Sequence, residues 1–192
     1  RLTDVTGVQT CALPIYVAAL HDNPCGDIQF INNLFVNGGD ASQYSTALLP
    51  VVFKGNVYTK GSVLAIGHND QKKFSEMNKN VKEQLKSYKD QVAIEENAVI
   101  KEDFDPSVSL LKEDQVIYLE IALDKNWLTQ KRNLVTTETL TNAIVPDLPF
   151  ENVDGSTLKI ETDYLGKKRN LENPSPGPFE IENSGKQRLK VW

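Results

Sequence analysis

The sequence predicts an all-β fold: the end of a parallel β-helix, followed by a capping α-helix and a C-terminal antiparallel β module. Three observations carry this reading. Two segments in the first third repeat at a spacing of 23 residues, the stretch from Asp70 to Asp90 takes on helical periodicity, and the remainder alternates with a period of two between proline-rich breaks. The implied divisions are residues 1–15, which are set aside, 16–68 as the last coils, 69–92 as the helix and 93–192 as the antiparallel module.

Residues 1–15 are excluded because Val5–Ile15 reads VTGVQTCALPI, an unbroken match to the in-frame translation of a common Illumina sequencing adapter. No charged leader region or small-residue cleavage site accompanies this apolar run, so it does not read as a signal peptide. Cys25 is then the single cysteine, which rules out an intrachain disulfide and leaves the redox compartment unread. The exclusion removes one charge of each sign, and the net charge stays at −5, too acidic for a nucleic-acid footprint. No apolar run approaches the roughly 20 residues that span a bilayer.

The repeat pairs DIQFINNLFVNGG, from Asp27, with PVVFKGNVYTKGS, from Pro50. Ile28 falls over Val51, Phe30 over Phe53, Asn33 over Asn56, Leu34 over Val57, Phe35 over Tyr58 and Gly38 over Gly61. Alternation points Ile28, Phe30, Val51 and Phe53 inward. An asparagine at the bend tolerates left-handed backbone, and stacked amides on successive coils can bond each other. Two copies also fit a pair of hairpins in a β-sandwich, which parallel and antiparallel neighbours would tell apart. A solenoid coil cannot bury its apolar face alone, so two coils beside the adapter-like segment imply that this is the C-terminal piece of a longer protein.

Phe74, Met77, Val81, Leu85 and Tyr88 then recur at spacings of three and four among polar residues, an amphipathic helix with Asn69 or Asp70 as N-cap. Its expected role is to cover the end or flank of the solenoid. Past an acidic link around EEN (95–97), Val108 and Leu110 lead through a charged turn at Lys112 to Asp114 into Val116–Leu123, a hairpin whose second arm should be central. Further strands are expected near Leu134–Thr137, Leu158–Glu161 and Arg188–Trp192, with a helical turn near Glu138–Asn142.

The chemistry-bearing residues do not assemble into a complete site. Cys25 and His21 lack the context of a nucleophile pair, and His21, Asp22 and His68 lack metal-ligand spacing, so no metal and no cofactor are expected. Acidic Asp22, Asp27 and Asp40 can line a groove on the solenoid wall, although solvated turns suit Asp27 and Asp40 better. His21, Asp22, Asn23 and Asp40 form the weak candidate set for binding substrate. Near the end, Asp163 and Glu180 flank Arg169, whose planar fork is expected to take a carboxylate bidentately and so clasp the proline-rich loop.

HDNPCGDIQFINNLFVNGG (21–39), GNVYTKGS (55–62) and TDYLGKKRNLENPSPGPFE (162–180) resemble the C-terminal portion of secreted right-handed parallel β-helix carbohydrate-active proteins of Bacteroidetes, related to family 120 glycoside hydrolases, which include β-xylosidases. The resemblance extends over most of Leu20–Trp192, and its ending D-x-x-G-x-x-R … G-x-x-E falls on Asp163, Gly166, Arg169, Gly177 and Glu180. It implies a right-handed helix, a sugar groove along one wall, a plant or host polysaccharide or oligosaccharide as partner, and an extracellular or periplasmic location. Glycosidic cleavage needs two carboxylates at a set separation. No position here matches the family's pair, which the resemblance places in coils upstream. A polysaccharide lyase, with a basic residue and commonly calcium, and a non-catalytic glycan-binding solenoid are the alternatives.

Overall fold

The computed structural model describes residues 26–42, 44, 50–64, 95–143 and 146–192. The expected helix over 69–92, residues 1–15, and His21, Asp22, Asn23, Cys25 and His68 lie outside them. Among the described residues the chain is mostly β, with one four-residue α-helix and one 3-10 helix of note.

Two parallel sheets form the first part. Strands β1 (Ile28–Ile31), β3 (Val51–Lys54) and β5 (Glu95–Glu96) make one, and β2 (Leu34–Phe35), β4 (Val57–Thr59) and β6 (Val99–Lys101) the other. The register pairs Ile28 with Val51, Phe30 with Phe53, Leu34 with Val57 and Phe35 with Tyr58, as the spacing of 23 predicts. A two-residue bend joins the strands of each layer. Its first residue is left-handed in all three, with φ of 57° at Asn32, 66° at Gly55 and 58° at Asn97, a conformation that asparagine and glycine accept more readily than other residues. A further parallel bridge, Asp40 to Val63, continues the same stacking along the chain.

The third layer corrects the sequence reading, which makes EEN a link and places everything from residue 93 in the antiparallel module. Phe53 pairs in parallel with Glu95, and Val57 with Val99. The copy is hidden because the long insertion after Leu64 breaks the spacing of 23 and a glutamate stands at the inward position held by Phe30 and Phe53.

Inside the stack, the strand spacing puts equivalent rings face to face. Phe30 lies on Phe53 with centroids 4.8 Å apart, and Phe35 on Tyr58 at 4.7 Å. That separation is the interstrand distance itself, and each ring pair adds ~0.5–1.5 kcal/mol beyond its area burial. The other side of the second sheet is covered as well. Leu34, Val57 and Val99 pack outward against Ile121, Leu123, Trp127 and Ile181 of the C-terminal module. A sheet buried on both faces needs consecutive apolar residues, which explains the doublets Leu34-Phe35 and Val57-Tyr58.

The module is built on an antiparallel sheet in the order β9-β8-β7, with β7 (Ser109–Glu113), β8 (Val116–Leu123) and β9 (Gly185–Lys190); β8 is central, as its apolar run predicts. After it, Asp124 caps a 3-10 helix, Lys125–Thr129, that buries Trp127 completely. The strands expected at Leu134–Thr137 and Leu158–Glu161 are absent. Thr136 instead caps helix α1 (Thr137–Leu140), and the two segments meet in a single bridge, Thr136 to Lys159. Threonine hydroxyls take over backbone partners here, Thr137 Oγ1 accepting from Leu158 N at 2.8 Å.

Asn56 is fully buried and ties the layers together. Its Oδ1 accepts from Asn33 N and Nδ2 at 2.8 and 3.1 Å, and its Nδ2 donates to Phe30 O and Glu95 Oε2 at 2.9 and 2.8 Å. Asn56→Ala strands several of these buried groups, so it should lower unfolding free energy in urea titration by about 2–4 kcal/mol. Asn33→Ala, at a half-buried position of the first layer, should cost less.

Candidate functional site

The outward residues of the first sheet, Gln29, Ile31, Val52, Lys54 and Glu96, follow from the inward placement of their neighbours Phe30 and Phe53. Residues 131–142 lie over this face and are pinned to it. Gln29 Nε2 donates to Leu140 O at 2.7 Å, Asn32 Nδ2 to Asn133 O at 2.9 Å and Arg132 Nε to Gly55 O at 2.6 Å. The seam leaves three connected hollows. A groove of about 250 Å³ runs over Asp27, Gln29, Val52 and Glu96 beside α1. It shares Ile31, Lys54 and Thr139 with a notch of about 50 Å³ bounded by Asn97, Lys131 and Arg132. Beyond Ile31 and Asn32, a third hollow of about 330 Å³ is lined by the first bend and by Pro174, Ser175, Gly177 and Pro178.

Behind the notch lies a charged cluster that the sequence does not announce. The half-buried carboxylate of Glu95 accepts from Asn56 N at 3.2 Å, Asn56 Nδ2 at 2.8 Å and Tyr58 Oη at 2.8 Å. Burial raises its pKa, outweighing those bonds and the nearby Arg132 charge. Burial, and next Glu95, push the Tyr58 phenol upward as well. Burial pulls Arg132 down and Glu95 opposes this; a guanidinium stays charged in either case. Arg132 is 3% exposed and gives its Nη1 to the carbonyls of Trp127 and Gln130 at 2.7 and 3.0 Å. No hydrophobic period marks a cation for burial, so sequence reasoning misses it.

Of the weak substrate-binding set, only Asp40 is described. It is exposed, next to the parallel bridge with Val63, and its carboxyl is held low by its hydrogen bonds with Ser42, whose backbone N donates at 2.8 Å. The carboxylates that line the groove are those of Asp27 and Glu96.

Asp163, Arg169 and Glu180 do come together, with different bonding from the bidentate pair expected. Arg169 donates to three carbonyls, Thr162 at 3.2 Å, Ser175 at 3.0 Å and Gly177 at 2.9 Å, and Glu180 Oε2 lies 3.9 Å from its Nη1. The loop from Pro174 to Pro178 has no ladder of its own, so its carbonyls take the fork. Asp163 is occupied by the backbone N–H groups of Leu165, Lys167 and Glu180. Gly177, at φ 78°, donates its N–H to Asn32 O at 2.7 Å, and a Cβ there would lie 2.9 Å from Leu34 Cβ. Only glycine lets the loop approach the first bend this closely.

No family model matches the chain, and no curated protein matches it in sequence. A solved structure, that of XylC in complex with xylose, is similar in fold, with a TM-score of 0.62 and 23% identity. The match covers 87% of this chain and 26% of that one, so the chain spans about a quarter of the XylC chain. At this identity the likeness is one of fold.

The raised pKa of Glu95 has a definite sign. Its folded-state value lies above the ordinary 4.5, so the stability it contributes is fully present below that value and is lost as pH rises through the folded-state pKa. Glu95→Gln removes the titration. The wild-type unfolding free energy minus that of Glu95→Gln should therefore fall as pH rises past the ordinary 4.5 in urea titrations; a difference that stays level or rises contradicts the assignment.

Proposed function

We propose that this chain is the C-terminal part of a polysaccharide-degrading glycoside hydrolase of β-xylosidase-like type, built on a right-handed parallel β-helix and related to family 120. The supporting observation is the fold match to XylC, bound to xylose, over most of this chain and about a quarter of the other. The two stacked parallel sheets and their bends fit the closing coils of such a helix, and the seam fits the end of a sugar groove on its wall. On this reading the enzyme is secreted, acts on plant or host polysaccharide and uses no nucleotide or redox cofactor.

The mechanism requires a carboxylic acid to protonate the leaving oxygen and a carboxylate to act as nucleophile or base, both facing one groove. Three of the carboxylates described here have structural work. Asp163 is filled by three backbone amides, Glu180 accepts from Asn170 N and Ser175 N, and Glu95 closes the asparagine ladder. On this reading the catalytic pair lies in coils preceding this segment, as the match to only about a quarter of XylC allows. The part described here supplies rigidity: it seals the last layers, packs the second sheet against the module and holds the groove wall in one register, which positioning of substrate demands.

Turnover of aryl β-xylosides and α-arabinosides by the 192-residue chain and by a longer protein carrying the preceding coils tests this. The longer protein should hydrolyse at least one of them and the 192-residue chain none. Turnover by the 192-residue chain that vanishes in Asp22→Ala or Asp40→Ala would put the site here. A longer protein that binds glycans and cleaves none would be a binding solenoid.

A further inference from the structure

Lys54 follows the inward Phe53 and so points out of the stack, where residues 131–133 cross over it. The notch between them is bounded by three cations, Lys54, Lys131 and Arg132. Arg132 Nη2 is buried and has no hydrogen-bond partner. Lys54 pairs with Glu96 at 3.5 Å, but both side chains are about half exposed, a pairing of small worth in water. Lys131 is exposed, and the ion pairs formed among the described residues do not include it. Against these cations stand Glu95, behind Arg132, and Glu96, which leaves the surroundings of the notch positive.

Size and lining say what fits. About 50 Å³ holds little more than one water's ~30 Å³ share of the liquid, room for a carboxylate and too little for a sugar ring. The adjoining groove, at about 250 Å³, has that room and shares Ile31, Lys54 and Thr139 with the notch. Its lining mixes apolar Ile31, Val52 and Leu140 with polar Gln29 and Asn142, as the two faces of a pyranose require, and its carboxylates, Asp27 and Glu96, can accept from ring hydroxyls while the ligand's own carboxylate lies in the notch.

We propose that groove and notch form a subsite for a uronic acid residue, with the ring in the groove and the carboxylate in the notch. Lys131 and Lys54 meet the carboxylate oxygens, Asn97 and Asn133 offer side-chain amides, and Arg132 supplies a fixed positive field from the wall. The inference rests on the glycan-active reading above and narrows it to acidic, uronate-bearing glycans.

Calorimetric or NMR titration of the 192-residue chain at low salt, with D-glucuronate, D-glucose and acetate as probes, tests it. Glucose keeps the ring and lacks the carboxylate; acetate keeps the carboxylate and lacks the ring. Glucuronate should bind with a Kd on the order of 1 mM, with glucose and acetate at least roughly tenfold weaker, and 0.5 M salt should weaken glucuronate most, as screening over roughly 4 Å requires. Lys131→Ala, at an exposed position, should keep its melting temperature and bind glucuronate at least about fivefold more weakly, since a charge-assisted bond is lost. Equal binding of glucose removes the role of the notch, equal binding of acetate reduces it to a small-anion site, and absence of glucuronate binding overturns the proposal outright. The readout is binding, so a longer protein inert on every glycoside overturns the hydrolase reading while leaving this subsite standing, and an active protein without glucuronate binding does the reverse.

Discussion

The side chain of Asn56 touches all three layers of the parallel stack, and the rest of the structure is arranged around what it makes possible. It accepts from the first bend at Asn33, donates to Phe30 O on the first strand, and donates to Glu95 on the third layer. Three bends with left-handed backbone must lie one above the other for one amide to do this. Once they do, register follows: Phe30 lies on Phe53, Phe35 on Tyr58, and Leu34, Val57 and Val99 form an outward apolar ladder. Glu95 ends the ladder of amides by standing where a further inward ring would be, at the cost of desolvating a carboxylate, which the three donors around it partly offset.

The C-terminal module depends on that ladder twice. Its buried Ile121, Leu123, Trp127 and Ile181 need the outward apolar residues of the second sheet as a floor. Its loops then bond to the bends themselves, Arg132 to Gly55 O and Gly177 to Asn32 O. The groove, the notch and the third hollow are the spaces left where irregular chain crosses a regular wall, and their positions are fixed by those few bonds.

Much of the stack is legible in the sequence because its first two copies keep apolar residues at both inward and outward positions, so Ile28, Phe30, Leu34 and Phe35 find their equivalents by spacing alone. The third copy is not legible, because Glu95 breaks the inward pattern and the insertion breaks the period. In the module, the long apolar run of β8 reads as a central strand, whereas Leu134–Thr137 reads as a strand and is not one, since threonine hydroxyls satisfy backbone groups that a ladder would otherwise hold. The spacing of Asp163, Arg169 and Glu180 foretells their meeting. It does not foretell that Arg169 bonds carbonyls, because which acceptors lie free depends on the path of the proline-rich loop. Lys54, Lys131 and Arg132 come from distant parts of the chain, and only the docking of one segment on the other makes them neighbours.

The central claim is that residues 95–101 are a full layer of the stack and not a loop attached to it, and native-state amide hydrogen exchange measures this directly. Val57 N–H bonds Asn33 O, Gly55 N–H bonds Glu96 O and Val99 N–H bonds Asn56 O, each at 2.8 to 2.9 Å. If the three layers form one cooperative unit with the module, these amides should exchange only through global unfolding, with opening free energies within about 1 kcal/mol of that of Ile121 in β8. Exchange at Gly55 and Val99 that is about a hundredfold faster than at Val57, an opening free energy lower by roughly 2.7 kcal/mol, would show that the third layer opens on its own and would contradict the account.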